Sequence, residues 1–290
     1  MEIINAIVKL CKLSLTKKFT GLEDIANSYN RVSKNYEEIF LKEMHKYNEE
    51  MLKEISKEYI DTNSDETIHI LDLACGTGFN SRFLNNIFTK ANFTLVDISE
   101  GMLKEATDNC KFNGNFIEKD MISFLKSCKD NSFNMVVCSW AIKYQDPKDI
   151  IKEVSRVLKK DGYFAVIVNL KSTLPEVRKI YPYLVLNNYK MVDKIMKELP
   201  NPKNENQFEK WFLNNRFSTD KIKSGEHVFK FNSSKELTKF VTSTGALAGF
   251  DSMIDMENNK IKDKMIDLFN DKNINTITHK YVWGVFKNGK

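Results

Sequence analysis

The feature that most constrains this chain is a regular alternation of strand-like and helix-like runs from Ile68 to Ile167. Residues 69–74 (HILDLA) read as a short buried strand and 79–88 as a helix. Residues 92–98 (NFTLVDI) are a strand, and 99–110 a helix whose N-cap is Ser99. A short strand at 115–120 and a longer one at 132–142 follow. Residues 147–160 are a helix with Ile150, Ile151, Val154, Val157 and Leu158 on one face, closed by Asp161-Gly162 before the apolar strand 163–170. Near-continuous apolar strands alternating with amphipathic helices predict a parallel sheet covered on both faces.

The flanks organise around this core. Ile39, Phe40, Met44, Tyr47, Met51 and Ile55 recur at helical spacing over 36–59, and a polar break covers 61–66. The apolar N-terminus is interrupted by Lys9 and Lys12, too short to span a bilayer and without a small-residue cleavage site. It is read as a surface-docked amphipathic helix. Residues 170–232 break the alternation and hold four of the five prolines. Residues 170–223 carry eleven Lys or Arg against six Asp or Glu, an excess of five that equals the net charge of the whole chain. The expected domains are an N-terminal helical segment (1–60), a core (61–170), a helical lid that recognises substrate (171–232), and a C-terminal part of the core (233–290). This last part holds a helix ending at Gly245, a strand at 250–254 (FDSMI), a short helix, and a final strand over 276–287.

The chemistry concentrates at strand ends. Leu71-Asp72-Leu73-Ala74-Cys75-Gly76-Thr77-Gly78 lies at the first strand-to-helix turn. Gly76 and Gly78 let backbone approach a ligand, and the following helix N-terminus favours an anion such as an amino-acid carboxylate. Asp72 is placed to hold the matching ammonium. A nicotinamide dinucleotide turn needs a third glycine where Ser81 stands. Asp97 ends the second strand 25 positions after Asp72, where a carboxylate accepts both ribose hydroxyls. Ile98 and Met102 flank it and can sandwich an adenine, although Met102 equally suits helix packing. Asp120-Met121 after the third strand supplies an acceptor for the adenine amino group, and Ser139 ends the fourth strand. Carboxylate, ribose and adenine together describe S-adenosylmethionine (SAM).

These segments resemble class I SAM-dependent methyltransferases. ILDLACGTGFNSRFL is similar to the first family motif, with Ala74 where many members have Gly, and TLVDISEGML to the acidic-loop motif. FNMVVCSWAIKYQDP and LKKDGYFAVIV are similar to the fourth- and fifth-strand motifs. The resemblance covers roughly residues 20–170. It implies a Rossmann-like seven-stranded sheet of order 3-2-1-4-5-7-6, with SAM across the strand ends and S-adenosylhomocysteine as product. Within the family the chain looks most like the small-molecule branch of ubiquinone/menaquinone and malonyl-carrier-protein methyltransferases. IANSYNRVSKNYEE resembles that branch's N-terminal pattern, where Tyr36 closes over the methionine end of SAM or simply begins a packing face. Residues 170–232 match no family segment.

The acceptor is expected to be a small molecule or a carrier-bound acyl group methylated on a carboxylate or hydroxyl. Two other readings stand beside it, an RNA or protein methyltransferase and a SAM-binding regulator without catalysis. The Asn-Pro-Pro-Tyr type of motif that serves amide-nitrogen methylation is replaced by Ser139-Trp140-Ala141-Ile142. Net charge of +5 is too mild to demand nucleic acid. Tyr144 and His227 are the candidate catalytic residues; each also suits a packing role. His45 is read as solvated. Five cysteines without a C-x-x-C pair and four scattered histidines predict no disulfide framework, no metal site and a cytoplasmic, reducing location.

Overall fold

The computed structural model describes residues 2–62 and 67–289. Of the polar break read at 61–66, residues 63–66 lie outside the described residues. The helices are α1 (Glu2–Leu15), α2 (Leu22–Tyr36), α3 (Lys42–Thr62), α4 (Phe79–Asn85), α5 (Glu100–Asn109), α6 (Met121–Ser127), α7 (Pro147–Val157), α8 (Pro175–Asn187), α9 (Glu205–Leu213), α10 (Ser234–Ser243) and α11 (Asn259–Asp271). The strands are β1 (His69–Leu73), β2 (Asn92–Asp97), β3 (Gly114–Glu118), β4 (Phe133–Ser139), β5 (Leu158–Asn169), β6 (Phe217–Lys230) and β7 (Thr276–Asn288).

The strands form one seven-stranded sheet of order β3-β2-β1-β4-β5-β7-β6, as the family resemblance implies. β1 pairs in parallel with β2 and β4, and β7 runs antiparallel to β5. Parallel pairing brings the C-terminal ends of β1, β2, β3, β4 and β5 to one edge, where open α/β sheets bind ligands. Ser99 caps α5 by accepting from the Met102 N–H at 3.1 Å, as read from sequence. Asp120 caps α6 and Asp146 caps α7 in the same way.

One strand sits elsewhere than expected. Residues 250–254 form turns, not a strand, between Gly249 at φ +85° and Asn258. Met253 and Ile254 are buried here, while turn hydrogen bonds such as Phe250 N–H to Leu247 O at 2.8 Å take the place of strand pairing. The sixth strand is β6, which occupies the latter part of the segment read as helical. Its residues FSTDKIKSGEHVFK give little apolar signal because β6 ends the sheet and only Phe217 and Phe229 are buried.

The chain divides into two compact units. The larger comprises residues 41–171, 199–225 and 280–290. Its core packs Leu71, Val136, Val154, Phe164, Phe208, Phe212, Phe217 and Phe286 into a continuous cluster. Met44, Met51 and Ile55 of α3 are fully buried, as the helical spacing predicted, and so is Leu52. The smaller comprises residues 1–40, 172–198 and 226–279, where Leu13, Val185, Val192 and Met253 form a cluster.

Phe212 of α9 stacks on Phe286 of β7 with ring centroids 3.7 Å apart and planes 6° from parallel. Phe212→Ala is expected to destabilise the protein by ~3–5 kcal/mol through the lost transfer energy and the cavity left behind. Denaturant unfolding of the two proteins measures this.

Candidate functional site

The turn after β1 is shaped by backbone that few residues tolerate. Ala74, Gly76 and Gly78 have φ of +59°, +53° and +81°. The two glycines differ in what surrounds them. A Cβ on Gly78 would meet Cys110 Sγ at 2.8 Å and Ala106 Cβ at 3.3 Å, so this glycine lets α5 pack closely. A Cβ on Gly76 would meet no atom within 4 Å. Gly76 thus faces open space at the sheet's C-terminal edge.

Two carboxylates hold this turn. Asp97, at the end of β2, accepts from the Gly76 N–H at 2.8 Å and the Ser99 N–H at 2.9 Å. Burial raises its pKa against the lowering effect of those donors. A carboxylate offers about four acceptor positions, so acceptor capacity remains for a ligand beyond the backbone donors of Gly76, Ile98 and Ser99. Asp72 is fully buried beneath the turn. It accepts from Ser81 Oγ at 2.8 Å, the Ser81 N–H at 3.2 Å and Asn80 Nδ2 at 3.2 Å. Burial pushes its pKa up to about 6, although these donors oppose the shift.

The hydrogen bonds continue through groups that the sequence reading did not single out. Asn80 Oδ1 accepts from Asn48 Nδ2 at 3.0 Å and from Ser139 Oγ at 3.3 Å. Asn48 Oδ1 in turn accepts from Trp140 Nε1 at 2.9 Å. One buried chain therefore runs from Asp72 through Asn80 and Asn48 to Trp140, linking α3, α4 and the end of β4. Asn80 and Ser81 could have been found as polar residues directly after the glycine turn. Nothing local marks Asn48, which sits among ordinary helix residues. His45 is not solvated as expected: its ring stacks on Phe79 at 3.5 Å, because α3 lies over the start of α4.

The remaining sequence candidates divide between the two units. Met102 and Met121 are buried, while Ile98 is partly exposed. Asp120 Oδ1 accepts from the Ser123 N–H at 2.9 Å and from Gln145 Nε2 at 2.8 Å. Burial would raise Asp120, but these donors win and its pKa lies below the ordinary carboxylate value. Cys75 is buried with its N–H bound to Val96 O at 2.9 Å. Burial, Asp97 and Asp72 drive its thiol pKa far up. Tyr36 belongs to the smaller unit, packed on Tyr29 and Phe40. His227 also belongs there, edge-on to Phe229 at 4.4 Å. Tyr144 is in the larger unit, partly buried in a short 3-10 turn, Ile142–Tyr144, after β4.

That turn carries a further group missed in the sequence. Lys143 is buried, its Nζ donates to Asn169 Oδ1 at the end of β5, and it lies 5.0 Å from the Tyr144 ring centroid. Burial lowers its pKa to about 7, with a small opposing effect from the Cys138 thiol. No sequence signal separates it from the other lysines.

A ligand with carboxylate, ribose and adenine fits two observations here. Gly76 leaves space that a side chain would fill, and the buried Thr77 Oγ1 has no hydrogen-bond partner among the described residues. Asp97 and Gly76 would hold the ribose side and the backbone turn the amino-acid side of SAM.

Fold and turn together have the class I, Rossmann-like methyltransferase architecture. Residues 70–162 match the family model described as a methyltransferase domain. The chain is 30% identical to malonyl-[acyl-carrier protein] O-methyltransferase 2 of Ilyobacter polytropus over 144 residues, covering 45% of this chain and 54% of that protein. It is 28% identical to a demethylmenaquinone methyltransferase of Leptospira interrogans over 152 residues, covering 48% and 58%. The chain thus spans about half the length of the curated relatives it matches. Among solved structures, a Bacillus halodurans protein assigned as a methyltransferase shares the fold with a TM-score of 0.53 at 15% identity, covering 82% of this chain and all of that one. Residues 70–162 are therefore similar to a methyltransferase domain.

Lys143 makes stability depend on pH with a definite sign. From about pH 7 up to the ordinary lysine range the unfolded chain binds a proton that the folded chain lacks. Wild-type stability should therefore rise with pH across that window relative to Lys143→Met, and the difference should be flat below it. Urea unfolding of both proteins over roughly pH 6 to 9 checks this.

Proposed function

We propose that this chain transfers a methyl group from SAM to a small-molecule or carrier-bound acceptor, at a carboxylate or hydroxyl oxygen. The observation that carries the reading is the Gly76 turn, open above and tied to Asp97 below. When bound, SAM supplies a methyl group on a sulfonium with a neutral thioether as leaving group. The protein's task is alignment, which can lower the barrier by ~7–11 kcal/mol.

The turn N–H groups and the start of α4 receive the amino-acid carboxylate. Asp72 acts by fixing that turn through Ser81 and Asn80. Asp97 takes the ribose hydroxyls, Ile98 flanks the adenine, and Asp120 accepts from its amino group. Tyr144 and Lys143 border the acceptor. A carboxylate acceptor needs no base. For a hydroxyl acceptor, Lys143 Nζ, whose pKa burial lowers to about 7, would be the group that takes the proton. The lid read over 171–232 does not stand as a whole, because Phe217–Lys230 is the end strand β6 and Phe208 and Phe212 of α9 pack in the core of the larger unit. The relatives named for a carrier-bound malonyl group and a quinone precursor support a small or carrier-bound acceptor, as does the fit of the turn to SAM.

Asp97→Ala should weaken SAM binding by about 2 kcal/mol or more, since the ribose hydroxyls lose a charged acceptor. Gly76→Val should abolish binding by filling the open space and straining the positive φ, with circular dichroism unchanged. Calorimetry with SAM reads both, and unchanged affinity in either variant overturns this site. Labelled SAM with a panel of carboxylic acids, phenols and acyl-carrier thioesters then tests transfer. Saturable SAM binding without methylation of any panel member would favour the regulator reading.

A further inference from the structure

α1 is expected to hide its apolar residues, yet it does the reverse. It rests on the smaller unit through Ala6 and Leu13, the latter packed with Val185, Val192 and Met253. Lys9 fixes the same side by donating to Lys190 O at 2.8 Å. Ile3, Ile4, Ile7, Val8 and Leu15 point away, each more than half exposed. Leu15, Ile3, Ile4 and Val8 are the most exposed large apolar side chains among the described residues. At 100° per residue these five and the exposed Cys11 fall on one continuous face. Isolated exposed apolar residues need no explanation, but a continuous stripe marks an interaction surface.

Charge decides what covers it. Lys12, Lys17 and Lys18 are exposed beside the stripe, and Glu2 is the one acidic residue from 2 to 18. A second copy packed parallel and face to face would set these lysines against their own counterparts. A protein groove would have to supply both an apolar floor and an acidic rim. An anionic lipid surface supplies both requirements at once: an apolar layer beneath negatively charged headgroups. No described helix is long and apolar enough to cross a membrane, so the contact lies in the plane of the surface.

We propose that α1 docks the protein on an anionic lipid bilayer, with Ile3, Ile4, Ile7, Val8 and Leu15 inserted below the headgroups and Lys12, Lys17 and Lys18 among the phosphates. The inference is independent of the methyl-transfer reading.

Co-sedimentation of the full chain with phosphatidylcholine vesicles, with and without phosphatidylglycerol, tests it. The wild type should pellet with the phosphatidylglycerol vesicles and be released by salt. The Ile4→Ser, Ile7→Ser, Val8→Ser triple variant should lower partitioning about tenfold or more. Its circular dichroism should be unchanged, because these side chains touch little of the fold. Lys12→Gln, Lys17→Gln, Lys18→Gln should remove the preference for phosphatidylglycerol. A polarity-sensitive fluorophore on Cys11 should shift to the blue on the anionic vesicles. The proposal is overturned if the wild type stays in solution with both vesicles, or if the serine variant binds as well as the wild type. It is also overturned if sedimentation equilibrium shows a dimer that the serine substitutions dissolve without any vesicle binding.

Discussion

The cofactor turn depends on one buried carboxylate. Asp72 sits at 0% exposure with no cationic partner among the described residues, and three donors from Asn80 and Ser81 stand in for water. Those donors are the first residues of α4, so solvating the carboxylate and starting the helix are the same event. A buried polar chain is stable only when each member is satisfied. Here it reaches α3 through Asn48 and the end of β4 through Trp140. Removing any link would leave a partner desolvated, which explains how elements distant in sequence hold one backbone geometry.

A second economy lies at the adjacent strand end. Asp97 orders the turn by accepting from Gly76 and Ser99, and keeps acceptor capacity in reserve. Its raised pKa shows that protein donors alone do not fully replace water. A ligand bringing two hydroxyl groups would supply what is missing. The same logic applies to Lys143, whose ammonium is desolvated beside an amide oxygen instead of a carboxylate.

The fold was legible in the sequence to the extent that burial is periodic. β1, β2, β4 and β5 are apolar because their side chains are largely buried, and α3 and α7 show their packing faces plainly. β6 was not legible, since an edge strand with polar side chains lacks that signature; FDSMI imitated it because turns can bury apolar residues too. At the site, the glycine turn, Asp72, Asp97 and Asp120 announced themselves through position after a strand. Asn48, Asn80, Trp140 and Lys143 did not, because their importance lies in tertiary partners. The outward face of α1 was equally hidden, as an apolar stripe in sequence does not say whether protein lies against it.

Cys75 adds a consequence for chemical compatibility. A sulfonium methyl donor is an alkylating agent, and a thiolate is the side chain most prone to attack it. This thiol stands within the very turn that fits the donor. Desolvation and the two neighbouring carboxylates keep its proton in place, so the sulfur stays a poor nucleophile. The carboxylates that shape the turn thereby also protect the protein from methylating itself.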